Sequence, residues 1–437
     1  MPQKIGLFLF RNDLRLHDNA ALIAAAKEVD QLICLYCHET TQPPSRLIAP
    51  SHLSPHRKAF LAQALTDLQA SLKALGQHLM ISPEPAAMAI PQLITLQNID
   101  AVYTSTHPGY YETQTFNTLA KHYPFIEFHS LDSNTLFHLD KLPFAIADLP
   151  ESFSKFRKQA EPLIVEAPLA APTVLPPSPV TASPMTKIAY EKVQNAAFHG
   201  GETKALAHMQ AYFSSNLASS YKTTRNGLDG MDYSTKFSPW LAHGNLSPRQ
   251  IMANLGRYED ENGANDSTYW IYFELLWREY YQLYAHRYGK YLFNFGGIKQ
   301  AKPNTSYYPE RFQKWCHGNT PYPIVNACMK QLNTTGYMSN RGRQLVASAF
   351  VHELGLDWRY GAAYMEQHLV DYDVASNWGN WQYLAGVGAD PRGHRKFDLN
   401  KQTRTYDANH TFINAYAGHT FDAHLDSVDA ADWPISR

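Results

Sequence analysis

Four cysteines in 437 residues are too few for a disulfide framework, and no apolar run approaches the ~20 residues that a membrane-spanning helix requires. Lysine plus arginine (38) almost balances aspartate plus glutamate (39), so the chain lacks the overall basic excess of a strongly electrostatic nucleic-acid binder. Any contact with a polyanion must therefore come from a local patch. Glycine is scarce where a dinucleotide fold would need it. Only Gly6, Gly76 and Gly109 precede residue 132, which excludes G-x-G-x-x-G and the P-loop from that region. The opening MPQKIGLFLFRNDLR has too short an apolar run for a secretory signal, so a cytoplasmic location is expected. Cys34 and Cys37 form a C-x-x-C in QLICLYCHE, but strand alternation sends them to opposite faces, which argues against a shared metal.

What is abundant is rings. There are 8 Trp, 27 Tyr and 21 Phe, crowded into the second half beside Arg, Asp and Asn, and a large core is their plainest reading. The first third alternates apolar runs (KIGLFLF, QLICLYC, QHLMIS, DAVYTS, FIEFHSL) with amphipathic stretches such as PHRKAFLAQALTDLQASLKALG. Five strands separated by four helices predict a doubly wound, Rossmann-like parallel sheet, an α/β domain over residues 1–132. Residues 133–197 read as a connector, and the six prolines of 166–186 make that part a semi-rigid linker over the surface. From 198 to 437 a 3.6-residue period replaces the strands, so the second domain should be all-helical.

Several clusters in that second domain carry chemistry. In Ser234-Thr235-Lys236-Phe237-Ser238-Pro239, Ser238 is a candidate N-cap before an N1 proline, and three hydroxyls with one ammonium at a helix start suit a diphosphate. Ordinary capping explains Ser238 equally, as it does Ser247-Pro248. Trp270, Glu274, Trp277 and Tyr281 fall on one helical stripe, which sets a carboxylate between indoles. An unpaired buried carboxylate costs several kcal/mol, so Glu274 should meet a polar cavity or a partner, Arg278 being the local candidate. Asn340, Arg343 and Gln344 share a face, and a buried Arg343 needs an acid, for which Asp371 is suited. DYDVASNWGNW gathers Asp371, Asp373 and Asn377 beside Trp378 and Trp381, either as capped acids or as polar groups that tune an electron carrier. Finally, Arg392, Arg395, Lys396, Lys401 and Arg404 outnumber Asp390 and Asp398, giving a basic patch that the neutral total hides.

Taken together, FRNDLRLHDNAAL, STKFSPWLAHGNLSP, ELLWREYY, WCHGNTPYPIV, GYMSNRGRQ and YDVASNWGNWQYLAGVGADPR resemble the photolyase and cryptochrome superfamily along nearly the whole chain. With Gln344 and Tyr383 where duplex-repair members usually carry Met and Trp, the sequence is most similar to the DASH type. The resemblance implies non-covalent FAD in the helical domain. Tyr221, Ser234, Thr235 and Ser238, with Lys236 and Phe237 between them, would hold its phosphates and ribityl chain. Trp270, Arg278 and Asn340 would line the site, Arg343 would pair with Asp371, Asp373 would lie near the ribose or ring, and Asn377 would face flavin N5.

By the same resemblance Glu274, Trp277, Gln344 and Tyr383 would receive a flipped cyclobutane pyrimidine dimer, which excited reduced FAD splits by electron transfer. Arg392, Arg395 and Lys396 would meet the DNA, preferentially single-stranded, and the protein would be a cytoplasmic monomer. The alternative role is a blue-light receptor that signals through a partner. Trp381 and Trp358 match the first two of the three tryptophans that carry electrons in the family, but the outermost position is Thr305, where Tyr307 or Tyr308 are the candidate substitutes. The chain also carries FINAYAGHTF where the family usually has W-L-P-E-L. A folate antenna, 5,10-methenyltetrahydrofolate, would use Glu112.

Overall fold

A computed structural model describes residues 3–38, 47–48, 53–180, 190, 193–194, 196–390 and 395–422. Strands β1 (Ile5–Phe10), β2 (Gln31–Cys37), β3 (Leu79–Ser82), β4 (Ala101–Ser105) and β5 (Glu127–Leu131) form one parallel sheet in the order β3-β2-β1-β4-β5. Helices α1 (Ala20–Glu28), α2 (Pro55–Ala74), α3 (Ala86–Gln97) and α4 (Tyr110–His122) are the crossovers. Sheet alternation sorts the apolar run of β1 into two layers. Phe8 and Phe10, with Cys34 and Tyr103, pack against Leu22 of α1 and Leu65 of α2. Leu7 and Leu9, with Ile33, Cys37 and Val102, pack against Ile90 of α3 and Phe116 of α4. Cys34 and Cys37 thus lie on opposite faces, as their spacing predicts.

The remaining helices are α5 (Phe153–Ala160), α6 (Glu202–Phe213), α7 (Leu217–Thr224), α8 (Ser238–Ala242), α9 (Pro248–Asn262), α10 (Asp266–Tyr288), α11 (Pro309–His317), α12 (Pro323–Thr335), α13 (Asn340–Ser348), α14 (Trp358–His368), α15 (Val374–Leu384), α16 (Leu399–Tyr406) and α17 (Thr411–Ala415). Beyond residue 198 the described residues contain no strand, apart from one isolated bridge between Ser306 and Leu356. The long α10 packs against α7 and α15 and forms the spine of the helical part. The segment around FINAYAGHTF packs as α17 on α12. No described helix is long and apolar enough to cross a membrane.

The connector is more firmly tied than its composition suggests. Leu136, Phe137, Leu149, Phe153 and Phe156 are buried in the core of the helical part. The proline-rich stretch turns back onto the α/β part, where Leu175 is buried and the Pro177 carbonyl accepts from the Leu32 N–H at 3.0 Å. The two parts meet across polar bonds between segments distant in sequence. Asn12 donates to the Ala242 carbonyl at 2.7 Å, Asn245 donates to the Leu14 carbonyl at 2.8 Å, and Arg249 pairs with Asp18 at 3.0 Å. Gly244 sits at this joint with φ +67°, and a Cβ there would come within 2.0 Å of the Asn12 oxygen, so only glycine fits.

Candidate functional site

Glu274 finds its partner outside its own helix. Arg225, at the C-terminal end of α7, bonds its carboxylate and lies 4.4 Å over the ring of Trp270. Arg278, the local candidate, instead donates to the Asn134 carbonyl at 2.7 Å and ties α10 to the connector. Burial raises the Glu274 carboxyl above the ordinary range, and Arg225 opposes that rise. One turn on, Trp277 stacks on Phe153 with ring centres 3.7 Å apart and planes 10° apart, so its orientation is fixed from the connector side. Tyr383 of α15 stands 6.1 Å from Trp277 at 78°, with Arg395 4.5 Å over its own ring. Glu274, Trp277 and Tyr383 are therefore drawn together by the α10–α15 packing. Gln344, partly buried on α13, has an amide without a partner among the described residues.

A second group surrounds Tyr337. Lys236, at φ +55° and 5% exposed, holds its ammonium 4.9 Å over that ring, and the Arg343 guanidinium lies 5.4 Å over it. Arg343 bonds both oxygens of the buried Asp371, at 2.9 and 2.7 Å, as their chemistry predicts. Among the described residues Lys236 has no carboxylate partner, and neither the Ser234 nor the Thr235 hydroxyl has a hydrogen-bond partner. A buried cation without a counter-ion, beside free hydroxyls, is a donor set that fits a diphosphate. Tyr221 is buried between this group and the first, near Glu274, Arg225 and Tyr337.

The expected cap at Ser238 needs correction. Ser238 opens α8 but caps nothing: its hydroxyl donates to Asp371 Oδ2 at 2.6 Å, sharing with Arg343 an oxygen that has two lone pairs. The Phe237 ring is core, 5.3 Å from Tyr212 and 5.9 Å from Phe213. Asn340 is exposed on the first turn of α13, whose cap is Ser339. The basic patch is half neutralised where it is described: Arg395 pairs with Asp390 at 2.5 Å and Lys396 with Glu353 at 3.1 Å, whereas Lys401 and Arg404 have no ion pair among the described residues. Arg392 lies outside the described residues.

In the acidic segment Asp373 is a capped acid. It caps α15 by accepting from the Ser376 N–H at 2.7 Å, and it also accepts from Gln282 of α10 at 2.9 Å. Asn377 donates to the Ala362 carbonyl at 3.0 Å, and its amide oxygen has no partner among the described residues. One turn further along α15, Trp381 is buried against Phe350 and Trp315. Trp358 is fully enclosed against Trp378, ring centres 5.8 Å apart. Glu112 turns inward in the first turn of α4, close to Arg11, and burial raises its carboxyl above the ordinary range. Beside it, Tyr111 meets Phe293 at 5.5 Å across the joint between the two parts.

Sequence reasoning missed Arg225, Tyr337, Phe153 and Gln282, each of which holds a residue it had singled out. Only Tyr337 left a signal, because it lies inside the quoted GYMSNRGRQ.

Residues 6–176 match the family model of DNA photolyase, and residues 270–429 match the FAD binding domain of DNA photolyase. The chain belongs to the photolyase and cryptochrome family, and its helical part is an FAD-binding domain. Within that family it is similar to Cryptochrome DASH of Idiomarina loihiensis, 54% identical over 99% of this chain and 97% of that protein. Cryptochrome DASH of Vibrio parahaemolyticus is 53% identical over 100% of this chain and 98% of its own. The crystal structure of a Synechocystis cryptochrome superposes with a TM-score of 0.87 at 40% identity, covering 95% of this chain and 89% of that one.

Proposed function

We propose that this chain uses blue light to split cyclobutane pyrimidine dimers, preferentially in single-stranded DNA, as a carbon–carbon lyase working as a monomer in the cytoplasm. The observation that carries the reading is the Glu274–Arg225 pair beside the fixed ring of Trp277 and the ring of Tyr383. Two flat rings with a hydrogen-bonding carboxyl suit an extruded pyrimidine pair, which needs stacking and contacts along its edge.

FAD would be held by Lys236, Ser234 and Thr235 at its diphosphate, with Tyr221, Ser238, Trp270, Arg343, Asp371, Asp373 and Asn377 around the remainder. When bound it supplies a light-driven electron that opens the cyclobutane ring and then returns. The chain's own residues do the positioning. Trp277 and Tyr383 grip the flipped bases, while the Gln344 amide and the Glu274 carboxyl, held by Arg225, hydrogen-bond to their edges. Single strands are favoured because flipping a base out of a duplex costs a few kcal/mol more. A folate antenna, 5,10-methenyltetrahydrofolate, would lie near Glu112 at the joint, where Tyr111 and Phe293 meet.

The test is illumination of the purified protein with dimer-containing single-stranded and duplex oligonucleotides, reading restored pyrimidines. We expect single-stranded substrate to be repaired faster, and Glu274→Ala to lower repair roughly a hundredfold, the lower end for one positioned acid or base, while keeping bound FAD. Repair of neither substrate would turn the assignment to a light receptor, and loss of FAD from Glu274→Ala would mean that the residue serves the cofactor instead.

A further inference from the structure

We propose that the stacked pair Tyr307–Tyr360 is where electrons enter from solvent to reduce this protein, and that they reach Trp381 by way of Trp315. The inference rests on the flavin reading above. Position 305, where an outer tryptophan would stand, is a threonine, and a saturated hydroxyl side chain cannot hold a one-electron vacancy. Close by, Tyr307 is 40% exposed and stacks on Tyr360 with ring centres 4.2 Å apart and planes at 19°. The ring of Phe312 lies 5.8 Å from Tyr307, 6.0 Å from Tyr360 and 6.5 Å from Trp315. Trp315, fully buried, lies 6.2 Å from Trp381. An unbroken chain of ring contacts therefore runs from the surface to the helix that carries Asn377. Phe312 bridges it without being oxidised, since a plain phenyl ring is much harder to oxidise than an indole or a phenol.

The alternatives end blind. Trp358 faces the equally enclosed Trp378, which in turn meets Phe293 at 5.0 Å. Tyr364 is 5.5 Å from Trp315, but its buried phenol donates to the Asn333 amide oxygen at 2.7 Å, and an amide cannot accept the proton that an oxidised phenol must release. The exposed Tyr307 can give that proton to water.

With FAD bound and oxidised, Trp381 would give up one electron to it on illumination, Trp315 would refill Trp381, and Tyr307 would refill Trp315. Tyr307 releases its phenolic proton to solvent as it does so. The neutral tyrosyl radical is then restored by an electron and a proton from a small thiol, which is left as a thiyl radical that couples to a disulfide.

The experiment uses the FAD-loaded protein, with flavin content measured first, and blue flashes with and without dithiothreitol. Transient absorption and electron paramagnetic resonance read the tyrosyl radical directly. We expect the radical to be lost in the Tyr307→Phe/Tyr360→Phe double variant, and flavin photoreduction to fall about tenfold there and in Trp315→Phe, equivalent to about 1.4 kcal/mol on the barrier. Trp358→Phe should have a smaller effect than either. A double variant that keeps the tyrosyl signal and wild-type photoreduction would overturn the proposal. So would loss of the signal in Trp358→Phe with its survival in Trp315→Phe. The double variant lies near the surface, so it keeps the test open even if the buried Trp315→Phe folds poorly. Protein that takes up no FAD at all would overturn both this route and the flavin reading, whereas FAD uptake without a tyrosyl radical would refute the route alone.

Discussion

The sheet of the α/β part is covered on both faces by Leu, Ile, Val, Ala and Phe, whereas the middle of the helical part holds indoles, phenols and ion pairs locked to one another. In the first case each side chain needs only an apolar neighbour of suitable volume, and many arrangements satisfy it. In the second, each buried charge needs one particular partner: Arg225 for Glu274, Arg343 for Asp371. The α/β part keeps its own buried charges, such as Asp18 against Arg249, at the edge where the helical part covers them. Buried ions here mark places where segments from far apart must meet, and in the helical part those places surround the candidate site.

Removing one partner of a buried pair should therefore hurt more than trimming the sheet. Arg343→Leu leaves the Asp371 carboxylate, with a side chain 1% exposed, without its cation. We expect about 3–5 kcal/mol of stability to be lost, seen in urea unfolding, together with bound FAD, seen in the visible spectrum. Retention of flavin and stability would remove the contrast between the two parts.

Glu279 sharpens it next. This fully buried carboxyl on α10 accepts from the Leu136 and Phe137 N–H groups at 2.9 and 3.2 Å, yet burial still pushes it up to about 7. In the unfolded chain it ionises near ~4.3, so the native state binds its proton more tightly. The resulting stabilisation is complete below about pH 4 and is lost as pH rises towards 7, on the order of 3 kcal/mol in all. Denaturant midpoints across that window should fall for the natural protein and stay flatter for Glu279→Gln.

The smallest effect belongs to the sheet. Ile33→Val on β2 removes one methylene from an aliphatic layer and should cost about 1 kcal/mol with FAD retained, as thermal unfolding and absorbance will report. A loss as large as that of Arg343→Leu would mean that the two interiors are not different in kind.

Much of this was legible in the residues. KIGLFLF and QLICLYC announce buried strands because short continuous apolar runs alternate along the chain with amphipathic stretches, and Arg343 seeking Asp371 follows from the demand that a buried guanidinium be matched. Ser238 was misread as a cap because a serine before proline at a helix start has the same local pattern whether its hydroxyl serves the backbone or a carboxylate 133 residues away. Arg225 was invisible because nothing in its neighbourhood distinguishes it from any exposed arginine until α7 is laid against α10.

Alone, the sequence determined the alternating α/β half, the helical half and the set of polar and aromatic groups available for chemistry, because these depend on period and composition along the chain. The tertiary structure alone decided which cation meets Glu274, that Lys236 lies over Tyr337, and that Tyr307 stacks on Tyr360. Those choices depend on how helices far apart in the chain cross, and no local pattern encodes a crossing.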